Sequence, residues 1–197
     1  MQDRECYDFV IIGGGIAGAS LAYRLAGQAS VLVLERESQP GYHSTGRSAA
    51  MFMEAYGTPQ IQALTRASRA FYEQPPEGFS EHALLEPRGC LYIASPDQLP
   101  LLEQTYASIR ACSDNVSLID AAQALALVPC LRPDTLGGAM LETDARDLDV
   151  HALHQGFLRG MRRAGGVLEC NAELVAARHE DMLWHLTLGD GRGVQAR

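Results

Sequence analysis

The alternation of apolar and polar stretches along the chain predicts a mixture of short strands and helices. An apolar run, Phe9–Ile12, leads into a group of glycines and a helix-like stretch, Ile16–Leu25, and a second apolar run, Val31–Leu34, follows. Short apolar runs on both sides of such a helix are typical of a parallel β-α-β unit, whose strands are buried on both faces. We therefore expect this unit near the N-terminus.

Farther along, apolar periodicity predicts helices over residues 58–72, 98–112, 121–127 and 151–164. Short β-rich runs predict strands over residues 89–94, 117–119, 137–142, 167–174, 175–180, 183–188 and 193–196. No third parallel strand follows the first unit directly. We interpret the intervening mixed region as an inserted second domain, and the chain as less than a whole folding unit.

The turn between the first strand and its helix carries the clearest chemical pattern, Gly13-x-Gly15-x-x-Gly18. In such turns the first glycine permits a tight bend, the second lets backbone amides approach a pyrophosphate, and the third allows close packing of helix on strand. Glu35, after the second run, can accept hydrogen bonds from both hydroxyls of an adenosine ribose. Its charge would repel a 2′-phosphate, so the pattern favours FAD or NAD over NADP. A glycine loop without a ligand is the alternative.

Composition excludes several classes of function. The 197 residues carry a formal net charge of −8 without a basic cluster, which argues against nucleic acid and against anionic membrane surfaces as partners. All sixteen basic residues are Arg, so the chain supplies no Schiff-base lysine and no Walker-type lysine.

The cysteines and the N-terminus indicate a reduced, cytoplasmic protein. Five scattered cysteines show neither a CxxC motif nor zinc spacing, and we expect no disulfide framework and no metal site. The short polar opening predicts no signal peptide. The apolar stretch over residues 9–26 contains four glycines and an arginine, so we expect no stable membrane insertion.

Three stretches resemble the FAD-dependent D-amino-acid oxidase and dehydrogenase superfamily, and within it the D-arginine dehydrogenase-like enzymes. They are DFVIIGGGIAGASLAYRLA, VLVLERESQPGYHSTGRSAAMFMEAYGTPQ and DVHALHQGFLRGMRRAGG. The segment HSTGRSAA is the most specific, because a plain NAD domain has no reason to contain it. The resemblance runs along the whole chain but covers only the N-terminal half of such an enzyme.

The resemblance implies an α/β fold, with a Rossmann-type FAD-binding domain interrupted by part of an α+β substrate domain that has an antiparallel sheet. Residues 1–80 would form the first part of the FAD-binding domain, and residues 81–148 a portion of the substrate domain. Residues 149–197 would return to the FAD-binding domain, which would be incomplete at its C-terminal end.

The HSTGRSAA segment also has chemistry of its own. It offers hydroxyls, a flexible glycine and an arginine that could lie beside a diphosphate, although an ordinary self-capping turn is the alternative. The resemblance implies that residues 44–51 line the pyrophosphate, the ribityl chain and the flavin ring of FAD. The implied cofactor residues are Gly13, Gly15, Ala17, Gly18, Glu35, Arg36, Ser44, Thr45, Gly46, Arg47, Ser48, Ala49, Ala50, Met51 and the backbone of Leu174.

The implied reaction is oxidation of the Cα–N bond of a D-amino acid, a small-molecule substrate. Hydride passes to the flavin, and the imine product hydrolyses to a 2-oxo acid. Tyr56 and Met51 are the implied catalytic residues, and Tyr56 and Cys90 the implied substrate contacts; a half-buried aromatic at a helix start is the alternative for Tyr56. Arginine-type enzymes carry a histidine in place of Met51 and a glutamate in place of Cys90. We therefore expect a neutral or apolar D-amino acid.

Two other functions stay open, namely a truncated and catalytically inactive FAD-binding fragment and an NAD-binding dehydrogenase domain. The electron acceptor is not indicated by the sequence. His151 and His154 lie three residues apart on a predicted helix, but without a third ligand we interpret them as surface residues. Glu142 is interpreted as part of a solvated turn.

Overall fold

The described residues of this computed structural model are 6–111 and 113–197. The strands are β1 (Cys6–Tyr7), β2 (Phe9–Ile12), β3 (Val31–Leu34), β4 (Met51–Phe52), β5 (Leu85–Pro87), β6 (Cys90–Ala94), β7 (Val116–Asp120), β8 (Gly138–Glu142), β9 (Arg146–Leu148), β10 (Val167–Glu169), β11 (Leu174–Glu180), β12 (Leu183–Leu188) and β13 (Gly193–Ala196). The α-helices are α1 (Ile16–Leu25), α2 (Pro59–Glu73), α3 (Leu99–Arg110), α4 (Ala121–Leu127) and α5 (Val150–Arg163). Short 3₁₀ turns cover Thr45–Arg47 and Pro96–Gln98.

The chain divides into two units. The first unit contains the residues up to Ala49, Pro76–His82 and Asp149–Arg197, and the second contains Ala50–Pro75 and Ala83–Leu148. The chain therefore leaves the first unit and returns to it at Asp149. Helix α2 belongs to the second unit, whereas the sequence analysis places it within residues 1–80. The assignment of the two units to cofactor and substrate domains stays a prediction.

A parallel sheet is the centre of the first unit. Its order is β10-β3-β2, and every pair is parallel, with Val10 opposite Leu32 and Leu168 opposite Val33. All four residues of β3 are buried, as expected for the middle strand of a sheet that is covered on both faces. Helix α1 packs against α5. The predicted parallel β-α-β unit is confirmed.

A second sheet of the first unit has the order β1-β13-β12-β11, with antiparallel pairing from β11 to β13. Its inner residues join the core of the parallel sheet, since Leu186, Leu188 and Val194 cluster with Leu32 and Leu34. The predicted strand over residues 167–174 is interrupted in the structure. Strand β10 ends at Glu169, Asn171 has a positive φ of 55°, and Leu174 already belongs to β11.

The second unit is built on antiparallel sheets. One has the order β6-β8-β7 and the other β4-β9-β5. Helices α3 and α4 pack against β7 and β8, and a cluster that includes Ala94, Leu102 and Met140 forms part of the core. The mixed α/β class with an antiparallel sheet is confirmed. Helix α3 starts one residue later than predicted, and Cys112, its predicted end, lies outside the described residues.

None of the helices within residues 6–111 and 113–197 combines the length and the apolar character needed to cross a bilayer.

Candidate functional site

A cavity of about 490 Å³ lies in the first unit, a volume typical of small-molecule sites. The Gly-rich turn, the end of β3, the residues 41–45 and the start of β11 surround it. Its lining residues are Ile12, Gly13, Gly15, Leu34, Glu35, Arg36, Gly41, Tyr42, His43, Ser44, Thr45, Ala172, Glu173 and Leu174.

The Gly-rich turn has the geometry that its spacing predicts. Gly13 has a φ of +97°, a conformation that favours glycine. A Cβ on Gly18 would lie 2.0 Å from the Gly13 carbonyl oxygen, so only a glycine lets the turn fold back onto the first turn of α1. Gly15 caps that helix without a side chain. The first N–H groups of a helix have no intrahelical acceptor, and this end therefore suits an anion.

Thr45 joins the segment of residues 41–45 to the start of α1. Its Oγ1 accepts a hydrogen bond from the Ile16 N–H at 2.9 Å, and a Cβ on Gly15 would lie 3.2 Å from the same oxygen. Ser44 and Thr45 both line the cavity. The structure thus brings part of the HSTGRSAA segment to the Gly-rich turn, although 29 residues separate Thr45 from Ile16.

Glu35 accepts two hydrogen bonds from backbone N–H groups, which its position after β3 does not predict. Its side chain is nearly buried, with the residue 7% exposed. Oε2 accepts from the Gly14 N–H at 2.8 Å, and Oε1 accepts from the Glu37 N–H at 3.0 Å. Each carboxylate oxygen can accept a second hydrogen bond. Glu35 therefore shapes the Gly-rich turn and retains acceptor capacity toward the cavity that it lines.

The interpretation of His154 as a surface residue is wrong. The residue is 3% exposed, and its Nε2 lies 2.7 Å from the Gly14 carbonyl oxygen. Since a carbonyl only accepts, Nε2 carries the hydrogen. Burial lowers the pKa of His154, and the bond to Gly14 opposes this only in part. The sequence signal that could have indicated this burial is helical periodicity, because His154 shares a face of α5 with the buried residues Phe157, Leu158 and Met161.

The other predicted cofactor residues are spread over both units. Arg36 and Leu174 line the cavity, and the Arg36 guanidinium contacts Glu37 and His43. Residues of the first unit that do not line the cavity are Ala17, Gly18, Gly46, Arg47, Ser48 and Ala49. The predicted cofactor residues Ala50 and Met51 belong to the second unit, as do the predicted substrate contacts Tyr56 and Cys90.

Met51 and Tyr56 come together in the second unit. Both line a cavity of about 280 Å³ beside α2, and Tyr56 is 62% exposed. Cys90 does not line this cavity; it begins β6, directly opposite Glu142 on β8. Burial, and then the nearby Glu142 carboxyl, raise the pKa of the Cys90 thiol, which is therefore neutral at physiological pH.

Glu142 is buried, so its interpretation as part of a solvated turn is wrong. The residue is 2% exposed and accepts hydrogen bonds from the Ala55 N–H and the Tyr92 hydroxyl, both at 3.0 Å. Residues 55–57 form the turn that contains Tyr56. On the side opposite Glu142, the Gln62 amide donates to the carbonyl oxygens of Ala55 and Gly57. Buried polar groups on both sides thus hold the turn that carries Tyr56.

Metal ligation has no support in the part of the chain that the structure describes. No group of three or more His, Cys, Asp or Glu side chains there could hold a metal ion.

The family of the chain follows from a match over nearly its entire length. The model of the FAD dependent oxidoreductase family, DAO, matches residues 8–197. The chain belongs to this family. Its cofactor is FAD. The cavity offers the N-terminal end of α1 and the Glu35 carboxylate, and these groups are chemically compatible with a phosphate and with ribose hydroxyls.

Similar proteins include the sarcosine oxidase subunit beta of Rhizobium meliloti, 26% identical over 183 residues, which is 89% of this chain and 44% of that protein. The L-2-hydroxyglutarate dehydrogenase of Escherichia coli is 42% identical over 78 residues, 34% of this chain and 18% of that protein.

Among solved structures, glycine oxidase from Geobacillus kaustophilus has a TM-score of 0.84 at 22% identity, over 98% of this chain and 54% of that chain. This likeness shows the fold. The chain thus spans about half the length of the glycine oxidase chain and less of both curated relatives. These relatives do not support a special closeness to D-arginine dehydrogenases.

Proposed function

We propose that this chain forms the flavin-binding part of an enzyme that oxidises the Cα–N bond of a D-amino acid. The observation that carries the proposal is the cavity where the Gly-rich turn, Glu35 and Thr45 converge, in a chain of the FAD-dependent oxidoreductase family. The likeness to a sarcosine oxidase subunit over 89% of the chain supports amine chemistry. The sequence resemblance to D-amino-acid enzymes supports the D configuration.

The residues of the first unit would hold the cofactor in an extended arrangement. The amides near Gly15 and Ala17, at the positive end of α1, would bind the pyrophosphate. Glu35 would accept hydrogen bonds from the adenosine hydroxyls, and Arg36 and the Leu174 backbone would lie near the adenosine. Residues 44–51 would continue toward the flavin ring. When bound, FAD supplies the acceptor for the hydride that leaves the substrate α-carbon.

The residues of the second unit would orient the substrate. Tyr56 lies on a turn held by Glu142 and Gln62, so its backbone has a defined position although its ring is exposed. We assign Tyr56 and Met51 to the substrate side of the reaction. Orientation of the α C–H bond is the contribution that such residues make to the rate. The imine product hydrolyses in water to a 2-oxo acid and ammonia.

Cys90 supports a neutral or apolar substrate side chain. Its thiol is neutral and cannot form the paired hydrogen bonds that a guanidinium makes with a carboxylate. The neighbouring Glu142 carboxyl is buried, and its hydrogen bonds from Ala55 and Tyr92 hold the turn of Tyr56. A guanidinium buried here would lack a dedicated partner and would suffer desolvation, whereas an apolar side chain would contact sulfur favourably.

Cys90→Glu tests this specificity. We expect it to raise the ratio of kcat/KM for D-arginine over D-leucine, because it adds a carboxylate for the guanidinium. Cys90→Gln is the matched control of similar size and should leave the ratio near that of the wild type. A wild-type ratio well above one that Cys90→Glu does not change would show that another residue determines specificity.

Oxidation of a 2-hydroxy acid is a second candidate function. The observation that favours it is the 42% identity to L-2-hydroxyglutarate dehydrogenase over 78 residues. Both reactions remove a hydride from a carbon that carries a heteroatom, so the cofactor site is compatible with either of them.

Anaerobic flavin bleaching separates the two candidates. The natural protein that contains this chain, loaded with FAD, would be mixed with D-leucine, D-methionine, L-leucine, sarcosine or L-2-hydroxyglutarate. The proposal predicts that the D-amino acids bleach the visible flavin absorbance fastest. Bleaching by L-2-hydroxyglutarate alone would favour the second candidate. Bleaching by sarcosine alone would support amine oxidation but would show that D-amino acids are not the substrates.

A further inference from the structure

We propose that His154 is a positioning residue for FAD: its Nε2–H group fixes the peptide between Gly14 and Gly15, and thereby the direction of the Gly15 N–H. This inference rests on the proposed contact of that turn with the pyrophosphate. His154 itself does not line the cavity, so its effect would pass through the backbone of the Gly-rich turn.

The Gly14 backbone is bonded to side chains on both sides. Its N–H donates to Glu35 Oε2 at 2.8 Å, and its carbonyl oxygen accepts from His154 Nε2 at 2.7 Å. Glu35 directly follows β3 and His154 belongs to α5, so the two partners are distant in sequence, and both are almost completely buried. Each contact therefore restrains a different peptide plane, the one before Gly14 and the one after it.

The second peptide plane is the one that concerns the cofactor. In a planar trans peptide the C=O and the N–H point in opposite directions. Because the Gly14 carbonyl is directed to the buried ring of His154, the Gly15 N–H is directed away from that ring. A turn of three consecutive glycines has little intrinsic resistance to a flip of this plane. The His154 hydrogen bond supplies the resistance that the backbone lacks.

The ring of His154 also packs closely against Gly41. A Cβ on Gly41 would lie 2.9 Å from His154 Cε1 and 3.2 Å from Nδ1, so the ring is in close contact with the segment that leads to Thr45. Gly41 also accepts from the Gly46 N–H at 2.8 Å. The imidazole thus contacts two of the segments that line the cavity, the Gly-rich turn and residues 41–45. It is a polar group with a specific hydrogen bond on the otherwise apolar face of α5.

Three variants separate the hydrogen bond from the packing. His154→Leu removes the donor, His154→Gln places an amide N–H at a reach similar to that of Nε2, and His151→Gln changes an exposed histidine of the same helix. FAD dissociation constants would be measured on apoprotein by flavin fluorescence, and unfolding by urea. The structure predicts that His154→Leu weakens FAD binding by about tenfold or more, the size of one lost hydrogen bond. His154→Gln should remain within about threefold of the wild type, and His151→Gln should be unchanged.

Equal weakening by His154→Leu and His154→Gln would overturn the proposal, because ring volume rather than the donor would then matter. An unchanged FAD affinity in His154→Leu would overturn it as well. If His154→Leu does not fold, the affinity of His154→Gln and the tautomer decide: ¹⁵N NMR of wild-type apoprotein should show the hydrogen on Nε2, and an Nδ1–H tautomer would contradict the geometry. If the wild-type protein shows the Nε2–H tautomer but binds no FAD, the proposed cofactor site is wrong, whereas the His154 hydrogen bond is present as described.

Discussion

Glu35→Ala should affect both the stability of the apoprotein and its affinity for FAD, for two separate reasons. The Glu35 carboxylate accepts hydrogen bonds from the N–H groups of Gly14 and Glu37, so its removal leaves a buried donor in the Gly-rich turn without a partner. It also removes the proposed acceptor for the adenosine hydroxyls. The first effect concerns any ligand of the turn, whereas the second concerns only ligands with an adenosine.

The expected magnitudes follow from these contacts. A hydrogen bond to a charged group contributes about 1.5–3 kcal/mol, and water can replace the part-buried bond to Glu37 more easily than the buried bond to Gly14. We therefore expect Glu35→Ala to lower the free energy of unfolding of the apoprotein by about 2–4 kcal/mol. FAD should lose about 1–3 kcal/mol more binding free energy than FMN, which has no adenosine.

The assay combines urea unfolding of the apoprotein with fluorescence titrations of FAD and FMN. Glu35→Gln is the matched variant of equal size: its amide oxygen can accept from one N–H group, but its NH₂ group would face the other, so its loss of stability should be intermediate. Glu37→Gln is the control, because within the described residues the hydrogen bonds of the Glu37 side chain go to Arg36 and His43, which are both exposed. Equal losses for FAD and FMN would place the adenosine elsewhere, and an unchanged unfolding free energy would contradict the role in the turn.

Two further predictions concern the first unit. Gly18→Ala places a Cβ 2.0 Å from the Gly13 carbonyl oxygen and should lower the free energy of unfolding by about 1–3 kcal/mol. Gly27→Ala is the control, because its Cβ would meet nothing within 4 Å and should leave that free energy unchanged. Equal urea midpoints for the two variants would contradict the close packing at Gly18. Hydrogen bonds from Ser30 lower the pKa of Asp8 from 3.8 to about 2, so the stabilisation is present above pH 3.8 and is lost as the pH falls toward 2. Asp8→Asn should reduce this pH dependence in urea unfolding, and an unaltered profile would exclude Asp8 as its source.

Local patterns were sufficient for much of the fold. The parallel β-α-β unit and the bounds of α4 follow from apolar runs, glycines and the cap at Asp120, all of which act over a few residues. The short strands β4 and β9 were not predicted. Strand β9 contains Arg146, Asp147 and Leu148, and its pairing with β4 joins parts of the chain that are far apart in sequence.

The candidate site was predictable where a motif carried it and not where distant contacts did. Two glycines of the motif, Gly13 and Gly15, and the first three residues of the HSTGRSAA segment line the cavity, whereas Gly18 and the rest of that segment do not. The second role of Glu35 depends on an amide 21 residues away, and the burial of Glu142 depends on an amide 87 residues away. Such bonds leave no periodic signal. His154 is different: it was interpreted as a surface residue, although its spacing from Phe157, Leu158 and Met161 would have placed it on the buried face of α5.

Titration of FAD into wild-type apoprotein and the Gly15→Val variant tests the central claim most directly, namely that the cavity at the Gly-rich turn is the FAD site. A Cβ at position 15 already lies 3.2 Å from Thr45 Oγ1, and the larger side chain would enter the place where the pyrophosphate is expected. Gly27→Val, outside the cavity, is the control. We expect a yellow wild-type protein with stoichiometric FAD, an unchanged control and little retained FAD in Gly15→Val. Full FAD affinity in a folded Gly15→Val protein would contradict it.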